Sequence, residues 1–302
     1  MHIPPFLKSG DRIRVVSPAG KIRAEKVMPG IELLREQGLE VVIGEHVFAE
    51  HFQYAGTDLQ RVDDLQLALD DPKTKAIICA RGGYGSIRIL EYLNFSAIKK
   101  NPKWMVGFSD ITILHSVFNK LELASIHGAM PGFFIQNGQP SESFRNLLAT
   151  LTGNPTIYNF DAHPQNRNGE ARGELVGGNL SLLYSLSGTP YDLVTRGKIL
   201  FIEDVSEYLY HLDRMMMNLR LSGKLEKLAG LLVGSFTETK DNESPFGKSV
   251  EEIILDAVRD YDFPVCFGFP AGHIDRNMPV ILGAGYSLLA ASSCKLEMQH
   301  NG

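Results

Sequence analysis

Residues 103–112 read Lys-Trp-Met-Val-Gly-Phe-Ser-Asp-Ile-Thr and contain the strand-to-helix turn that decides the fold. The apolar run 104–106 predicts a short buried strand, and apolar residues at helical spacing begin directly after Asp110. A serine at such a turn presents its hydroxyl beyond the end of the sheet, near the positive end of a helix. Ser109 is therefore a candidate nucleophile for acyl transfer. The alternative is that Ser109 is only the N-cap of the following helix, with Asp110 in its first turn.

Four more apolar runs in the first half of the chain predict strands, at residues 12–17, 39–47, 75–80 and 124–127. Segments with helical spacing separate them, and the continuous run 75–80 is typical of a strand that is buried on both faces of a parallel sheet. This alternation predicts an α/β fold whose N-terminal domain is a doubly wound, mostly parallel sheet.

A glycine-rich loop, Arg81-Gly-Gly-Tyr-Gly-Ser86, follows the strand at 75–80. The loop matches neither the dinucleotide fingerprint nor the P-loop. A glycine turn before a helix can nevertheless hold phosphate, so one interpretation is a phosphate site in a nucleotide-dependent enzyme. A second interpretation is that Gly82 and Gly83 let the backbone approach a reacting carbonyl and donate an N–H to it. A third is a simple tight turn.

Residues 153–170 are polar, rich in helix and strand breakers, and aperiodic, which indicates a linker. It would join an N-terminal domain, residues 1–152, to a smaller C-terminal α/β domain, residues 171–302. In that second domain the buried run 198–202 ends in Glu203-Asp204, and the short run 265–267 leads into a loop that ends in His273. Ser206 is predicted to cap a long helix.

Ser109, Glu203 and His273 all stand where buried apolar strands stop. Acyl transfer needs such a set, in which a serine attacks, an imidazole takes its proton, and a carboxylate fixes the imidazole tautomer. Each of the last two has a rival in the sequence. Asp204 competes with Glu203, whereas His127 and His115 compete with His273.

The composition narrows the class of protein. The 302 residues are 44% hydrophobic with a net charge of −5, and the absence of a basic block argues against nucleic acid or an anionic membrane as a partner. The first residues contain no apolar signal-peptide region, and no apolar run reaches the length of a membrane span. Three cysteines without a CxxC pattern favour a reducing compartment, so we predict a cytoplasmic protein.

Five segments together carry a resemblance to a known family. They are RGGYG at 81–85, GFSD at 107–110 with IHG at 126–128, LVGGNLSLL at 175–183, LFIED at 200–204, and GFPAGH at 268–273. In this order they resemble the LD-carboxypeptidase family of serine peptidases, which includes the murein tetrapeptide carboxypeptidases and the microcin C immunity peptidases. The resemblance runs from about residue 10 to residue 290.

The resemblance implies a catalytic triad of Ser109 in the N-terminal domain with Glu203 and His273 in the C-terminal domain. It also implies an oxyanion hole made by backbone N–H groups of Asp110 and of the Gly82-Gly83 turn, for which we prefer Gly83. The family is independent of metals and other cofactors and is commonly dimeric. The turn departs from the G-x-S-x-G pattern because Ile111 stands where the last glycine would be.

The implied substrate is a murein tetrapeptide, cleaved between the L-centre of the diamino acid and the terminal D-alanine during cell-wall recycling. Arg81 is a candidate to bind the terminal carboxylate, and Tyr84 is a further candidate substrate contact. The alternative substrate is an aminoacyl or peptidyl adenylate, with Tyr208 or Tyr210 stacking on the adenine. A non-catalytic binding protein on the same scaffold is the third hypothesis, and it predicts that a serine-directed phosphonate does not label Ser109.

Overall fold

The computed structural model describes residues 1–299, which divide into two compact units. The first unit consists of residues 1–155 and 278–281. The second consists of residues 156–277 and the described residues from Leu282 onward. The segment 153–170, which the sequence marks as a linker, contains the short strand Tyr158–Asp161 and the start of a longer one.

A six-stranded sheet forms the centre of the first unit, in the spatial order β13-β5-β4-β3-β1-β2. The pairs β1 with β2, β1 with β3, β3 with β4 and β4 with β5 are all parallel. The strands are β1 (Arg12–Val16), β2 (Glu40–Ile43), β3 (Thr74–Cys79), β4 (Trp104–Gly107), β5 (Ser125–His127) and β13 (Val280–Leu282). The parallel order with helical connections confirms the predicted doubly wound α/β fold.

Helices connect these strands, and polar caps define where two of them begin. Thr57 accepts the Gln60 N–H at 3.3 Å while the Gln60 side chain accepts the Thr57 N–H at 2.9 Å, a capping box. Ser141 accepts the Phe144 N–H at 3.1 Å. The helices are α1 (Ala24–Glu36), α2 (Asp58–Asp70), α3 (Ser86–Ile89), α4 (Ser96–Lys100), α5 (Thr112–Lys120) and α6 (Glu142–Leu151), and a small hairpin pairs β6 (Ile135–Gln136) with β7 (Gln139–Pro140).

The second unit is built on a seven-stranded mixed sheet in the order β12-β11-β10-β9-β14-β15-β8. The strands β9 to β12 pair in parallel, whereas β14, β15 and β8 add antiparallel strands beyond β9. The strands are β8 (Tyr158–Asp161), β9 (Gly169–Asn179), β10 (Ile199–Val205), β11 (Gly230–Thr237), β12 (Val265–Cys266), β14 (Gly285–Ala290) and β15 (Ser293–Met298).

The α-helices in the described part of the second unit are α7 (Leu180–Ser185), α8 (Leu209–Leu221) and α9 (Val250–Ala257). One core cluster fills the space between these helices and the parallel part of the sheet, with side chains such as Ile202, Met215 and Leu231 fully buried. Because this core is apolar, the polar groups of the sheet are concentrated at the strand ends.

The prediction that Ser206 caps helix α8 is wrong. The helix begins at Leu209, and the residue before it, Tyr208, caps it without a side-chain hydrogen bond. Ser206 has φ of 62°, and its hydroxyl donates to Glu238 Oε2 at 2.8 Å. Glu238, which follows β11, therefore binds the Ser206 hydroxyl. Before the helix begins, the backbones of Glu207 and Leu209 exchange hydrogen bonds with the backbone of Lys240.

Candidate active site

Ser109 stands two residues after the end of β4 and adopts a backbone conformation that is unusual for a residue with a side chain. Its φ is 64°, and it begins a single 3-10 turn, Ser109–Ile111, that leads into α5. The N-cap position of this turn belongs to Phe108, so the alternative that Ser109 is merely a cap is wrong. Strained conformations of this kind cluster at functional sites and occur at the nucleophile of α/β hydrolases.

The glycine-rich loop lies against the Ser109 side chain. A Cβ placed on Gly82 would be 3.0 Å from Ser109 Cβ and 3.2 Å from its Oγ, so a larger residue at position 82 would crowd the hydroxyl. Gly83 has φ of 101°, which favours glycine. The Gly82 carbonyl accepts the Gly20 N–H at 2.9 Å, which joins this loop to the loop after β1. The structure thus brings together the glycine turn and the serine within the first unit.

Both candidate substrate contacts on this loop are exposed. The Arg81 guanidinium donates one hydrogen bond to the Lys21 carbonyl, so a backbone contact occupies one of its five N–H groups. The Tyr84 side chain is 46% exposed, and its ring centroid lies 6.1 Å from that of Tyr54.

The two rival histidines are buried inside the first unit. His115 places Nδ1 2.9 Å from Ser125 Oγ and Nε2 2.9 Å from the Gly107 carbonyl oxygen, so both ring nitrogens serve structural hydrogen bonds. Burial lowers the pKa of His115 to about 4. His127 is fully buried and its ring centroid lies 6.0 Å from that of Phe108. Both imidazoles are therefore buried, whereas a catalytic base must exchange protons with the nucleophile and the leaving group at an accessible site.

His273 and Glu203 form a hydrogen-bonded pair in the second unit. Glu203 Oε2 lies 2.8 Å from His273 Nδ1, the Glu203 side chain has no exposed surface, and His273 is partly exposed. Glu203 Oε1 is buried and has no hydrogen-bond partner within residues 1–299. A buried carboxylate on Nδ1 fixes the imidazole tautomer and leaves Nε2 as the nitrogen for proton transfer.

Asp204, the rival carboxylate, serves a different structure. Its oxygens accept the Asn179 side-chain amide at 2.9 Å, the Ser181 N–H at 2.8 Å and the Val205 N–H at 2.9 Å. Burial, and then the neighbouring charge of Glu203, raise the pKa of Asp204 to about 7. Since adjacent residues of a strand face opposite sides of the sheet, only Glu203 points toward the histidine loop.

Two glycines and two hydroxyls hold the histidine loop against β10 and β11. A Cβ on Gly272, whose φ is 121°, would lie 2.8 Å from Glu203 Oε2, and a Cβ on Gly234 would lie 2.6 Å from the Ala271 carbonyl oxygen. Ser235 Oγ donates to that same carbonyl at 3.1 Å, and Thr237 Oγ1 donates to the His273 carbonyl at 3.4 Å. No local sequence pattern marks either hydroxyl, because each has its partner 36 residues away along the chain.

Tyr208 and Tyr210 form an exposed aromatic pair after β10. Each is 40% exposed, and their ring centroids are 5.6 Å apart.

Within residues 1–299 no group of three His, Cys, Asp or Glu side chains could hold a metal ion. The same residues include no helix with the length and apolarity that a bilayer crossing requires.

Comparison with known proteins gives matches in both halves of the chain. The LD-carboxypeptidase N-terminal domain family matches residues 13–128, and the LD-carboxypeptidase C-terminal domain family matches residues 172–288. The probable murein peptide carboxypeptidase of Bacillus subtilis (strain 168) is 36% identical over 288 residues, which cover 93% of this chain and 89% of the relative.

Two solved structures share the architecture. The crystal structure of muramoyltetrapeptide carboxypeptidase from Oxalobacter formigenes superposes with a TM-score of 0.86 at 27% identity and covers 96% of this chain and 99% of that one. The microcin C7 self-immunity protein MccF in complex with aspartyl sulfamoyl adenosine has a TM-score of 0.86 at 21% identity, with 99% of both chains covered, and shows the fold alone. The two domain matches cover more than half of the sequence, and the chain therefore belongs to the LD-carboxypeptidase family.

Proposed function

We propose that this protein is a serine-type LD-carboxypeptidase that releases the terminal D-alanine of a murein tetrapeptide. The observation that carries the proposal is the 2.8 Å bond between the fully buried Glu203 carboxylate and His273 Nδ1, because that pair prepares an imidazole for proton transfer. The left-handed backbone of Ser109 supports the assignment of the nucleophile. The names of the Bacillus and Oxalobacter relatives support the murein peptide as the substrate class.

In the proposed mechanism, Ser109 Oγ attacks the carbonyl carbon of the diamino acid and His273 Nε2 takes the hydroxyl proton. The backbone N–H groups of Gly83 and Asp110 stabilise the tetrahedral oxyanion, and each such donor contributes about 3–4 kcal/mol in acyl-transfer enzymes. His273 then returns the proton to the leaving amine, and D-alanine departs. Water attacks the remaining ester with His273 again as the base, which releases the shortened peptide and restores the Ser109 hydroxyl.

A carboxypeptidase must bind a free terminal carboxylate, and we assign this role to Arg81, with Tyr84 as a neighbouring contact. Arg81 is exposed on the glycine-rich loop whose Gly82 lies against Ser109. A guanidinium pairs with a carboxylate through two parallel N–H bonds, and the bond to the Lys21 carbonyl occupies only one of its donors.

We also propose that the protein is located in the cytoplasm and that it forms a homodimer. All three cysteines are free and buried, in agreement with a reducing compartment. Sedimentation equilibrium of the purified chain measures the assembly directly, and a mass near twice 33.4 kDa is expected. A mass of 33.4 kDa at all concentrations would refute the dimer.

The decisive assay measures D-alanine released from a purified murein tetrapeptide by the wild type and by Ser109→Ala. We expect release by the wild type and a loss of several orders of magnitude in the variant, since a triad serine supplies most of the chemistry. Ser109→Ala with near-normal turnover would refute the assignment.

The alternative substrate, an aminoacyl adenylate, is tested in parallel with an aminoacyl sulfamoyl adenosine. The exposed pair Tyr208 and Tyr210 favours this alternative, because an exposed aromatic ring can stack on a purine. Hydrolysis of the adenosine compound without release of D-alanine from the tetrapeptide would replace the murein assignment.

A further inference from the structure

Arg61 is a buried cation that the mechanism above does not use. It belongs to α2, its guanidinium has no exposed surface, and it pairs with Asp58. Its Nη1 donates to two backbone carbonyls, Pro18 O at 2.9 Å and Gly85 O at 3.0 Å. These carbonyls lie in the loops after β1 and β3, so one side chain joins two loops at the carboxyl edge of the sheet.

Asp110 has a buried carboxyl group that binds the same loop. Its side chain has no exposed surface, and its Oδ2 accepts the Ser86 N–H at 2.8 Å. The raised pKa of its carboxyl follows from burial, which the Ser86 hydrogen bond and the charge of Arg61 partly offset. Asp110 directly follows Ser109, so this bond links the nucleophile turn to the glycine-rich loop.

These two contacts meet on a single peptide group. The Gly85 carbonyl, bound by Arg61, and the Ser86 N–H, bound by Asp110, are the two ends of the Gly85–Ser86 peptide unit. A peptide unit is planar, so holding both ends fixes its orientation. The fit is close, because a Cβ on Gly85 would lie 2.4 Å from Arg61 Nη1.

We propose that Arg61 and Asp110 are positioning residues that clamp the Gly85–Ser86 peptide and thereby hold the Gly82–Gly83 turn at the distance from Ser109 that oxyanion stabilisation requires. This inference rests on the proposed function. The clamped peptide is two residues beyond Gly83, whose N–H is a proposed oxyanion donor. Asp110 thus has two separate roles, since its N–H is a proposed oxyanion donor and its side chain belongs to the clamp. Substitution of the side chain by any residue except proline preserves the N–H.

The test compares Asp110→Ala, Asp110→Asn and Arg61→Lys with the wild type in two assays, D-alanine release and the rate of labelling by a serine-directed fluorophosphonate. Loss of the clamp should lower kcat and the labelling rate together by about 10- to 100-fold in Asp110→Ala, because a misplacement of about 1 Å can cost about 100-fold in rate. KM should stay within about threefold. Asp110→Asn retains an acceptor oxygen and should recover part of the loss, whereas Arg61→Lys loses the guanidinium, whose Nη1 binds both carbonyls while its Nη2 pairs with Asp58.

Matched controls separate positioning from general destabilisation. Asp64→Ala removes another buried carboxyl group whose pKa is raised by burial. That group accepts the backbone N–H of His46 at 2.9 Å, outside the glycine-rich loop. Arg88→Lys alters the side chain of the second arginine that pairs with Asp58 and preserves the Arg88 backbone N–H, which donates to the Gly85 carbonyl at 3.1 Å. Both controls should keep wild-type kcat and labelling rates.

The outcomes distinguish this inference from the proposed function. If the wild type reacts with the probe and releases D-alanine while Asp110→Ala and Arg61→Lys match their controls, the clamp is refuted and the peptidase assignment stands. If the variants raise KM and keep the wild-type kcat, the positioning role is also refuted. If the wild type shows neither reaction, the proposed function is refuted and the clamp with it. Should Asp110→Ala fail to fold, Asp110→Asn and Arg61→Lys decide the question alone.

Discussion

Replacement of Glu203 by glutamine isolates the contribution of its charge to His273. The substitution preserves the shape of a side chain that is completely buried, so the packing should remain. At an effective dielectric constant of about 20, opposite unit charges 2.8 Å apart attract by about 6 kcal/mol. This attraction exists only when the imidazole becomes protonated during the reaction. In addition, the glutamine amide can donate to Nδ1 and favour the wrong tautomer.

We therefore expect Glu203→Gln to lower kcat by about 10³- to 10⁴-fold with little change in KM. The assay is D-alanine release under saturating tetrapeptide, with circular dichroism to verify the fold. Asp204→Asn is the matched control. Asp204 faces the side of the sheet opposite the histidine loop, so kcat should stay within about tenfold even though the amide loses an N–H contact to Ser181 or Asn179. A kcat of Glu203→Gln within tenfold of wild type, or a larger loss in Asp204→Asn, would refute the reasoning.

Three further predictions concern strain and pH. Ser109→Gly should be about 1 kcal/mol more stable in urea than Ser109→Ala, since glycine tolerates φ of 64°, and equal stabilities would contradict the strained turn. His115, with its pKa lowered to about 4, stabilises the fold above pH 6.5 and loses that contribution as the pH falls toward 4. The stability advantage of wild type over His115→Gln should therefore shrink by up to about 3 kcal/mol between pH 7 and pH 4, and a constant difference would contradict it. Gly272→Ala should reduce both kcat and stability, because its Cβ would lie 2.8 Å from Glu203 Oε2, and wild-type values would contradict that close contact.

Local sequence patterns predicted the central strands β3 and β4 of the first unit because residues 76–79 and 104–106 are continuous apolar runs. The N-cap at Thr57 could also be predicted from the sequence, since its hydrogen-bond partner lies three residues away. By contrast, Ser206 has a typical capping residue type, yet its hydroxyl binds Glu238, which lies 32 residues further along the chain. A contact of that separation has no local signature.

The choice between Glu203 and Asp204 also depended on the structure. Both residues follow the same buried run, and the sequence does not reveal which face of β10 meets the histidine loop. The Gly85–Ser86 clamp was missed for the same reason. Arg61 stands on a helix with an ordinary polar pattern, and its burial results from the loops after β1 and β3.

The central claim is that Ser109 is the acylated nucleophile. Treatment with a serine-directed fluorophosphonate, followed by trypsin and tandem mass spectrometry, tests this claim most directly. The only serines in the tryptic peptide 104–120 are Ser109 and the buried Ser116, so an adduct can be assigned to one of them. We predict a single adduct, on Ser109, in the wild type and none in Ser109→Ala. An unmodified Ser109 in a chain that releases D-alanine, or an adduct on a different serine, would contradict the account.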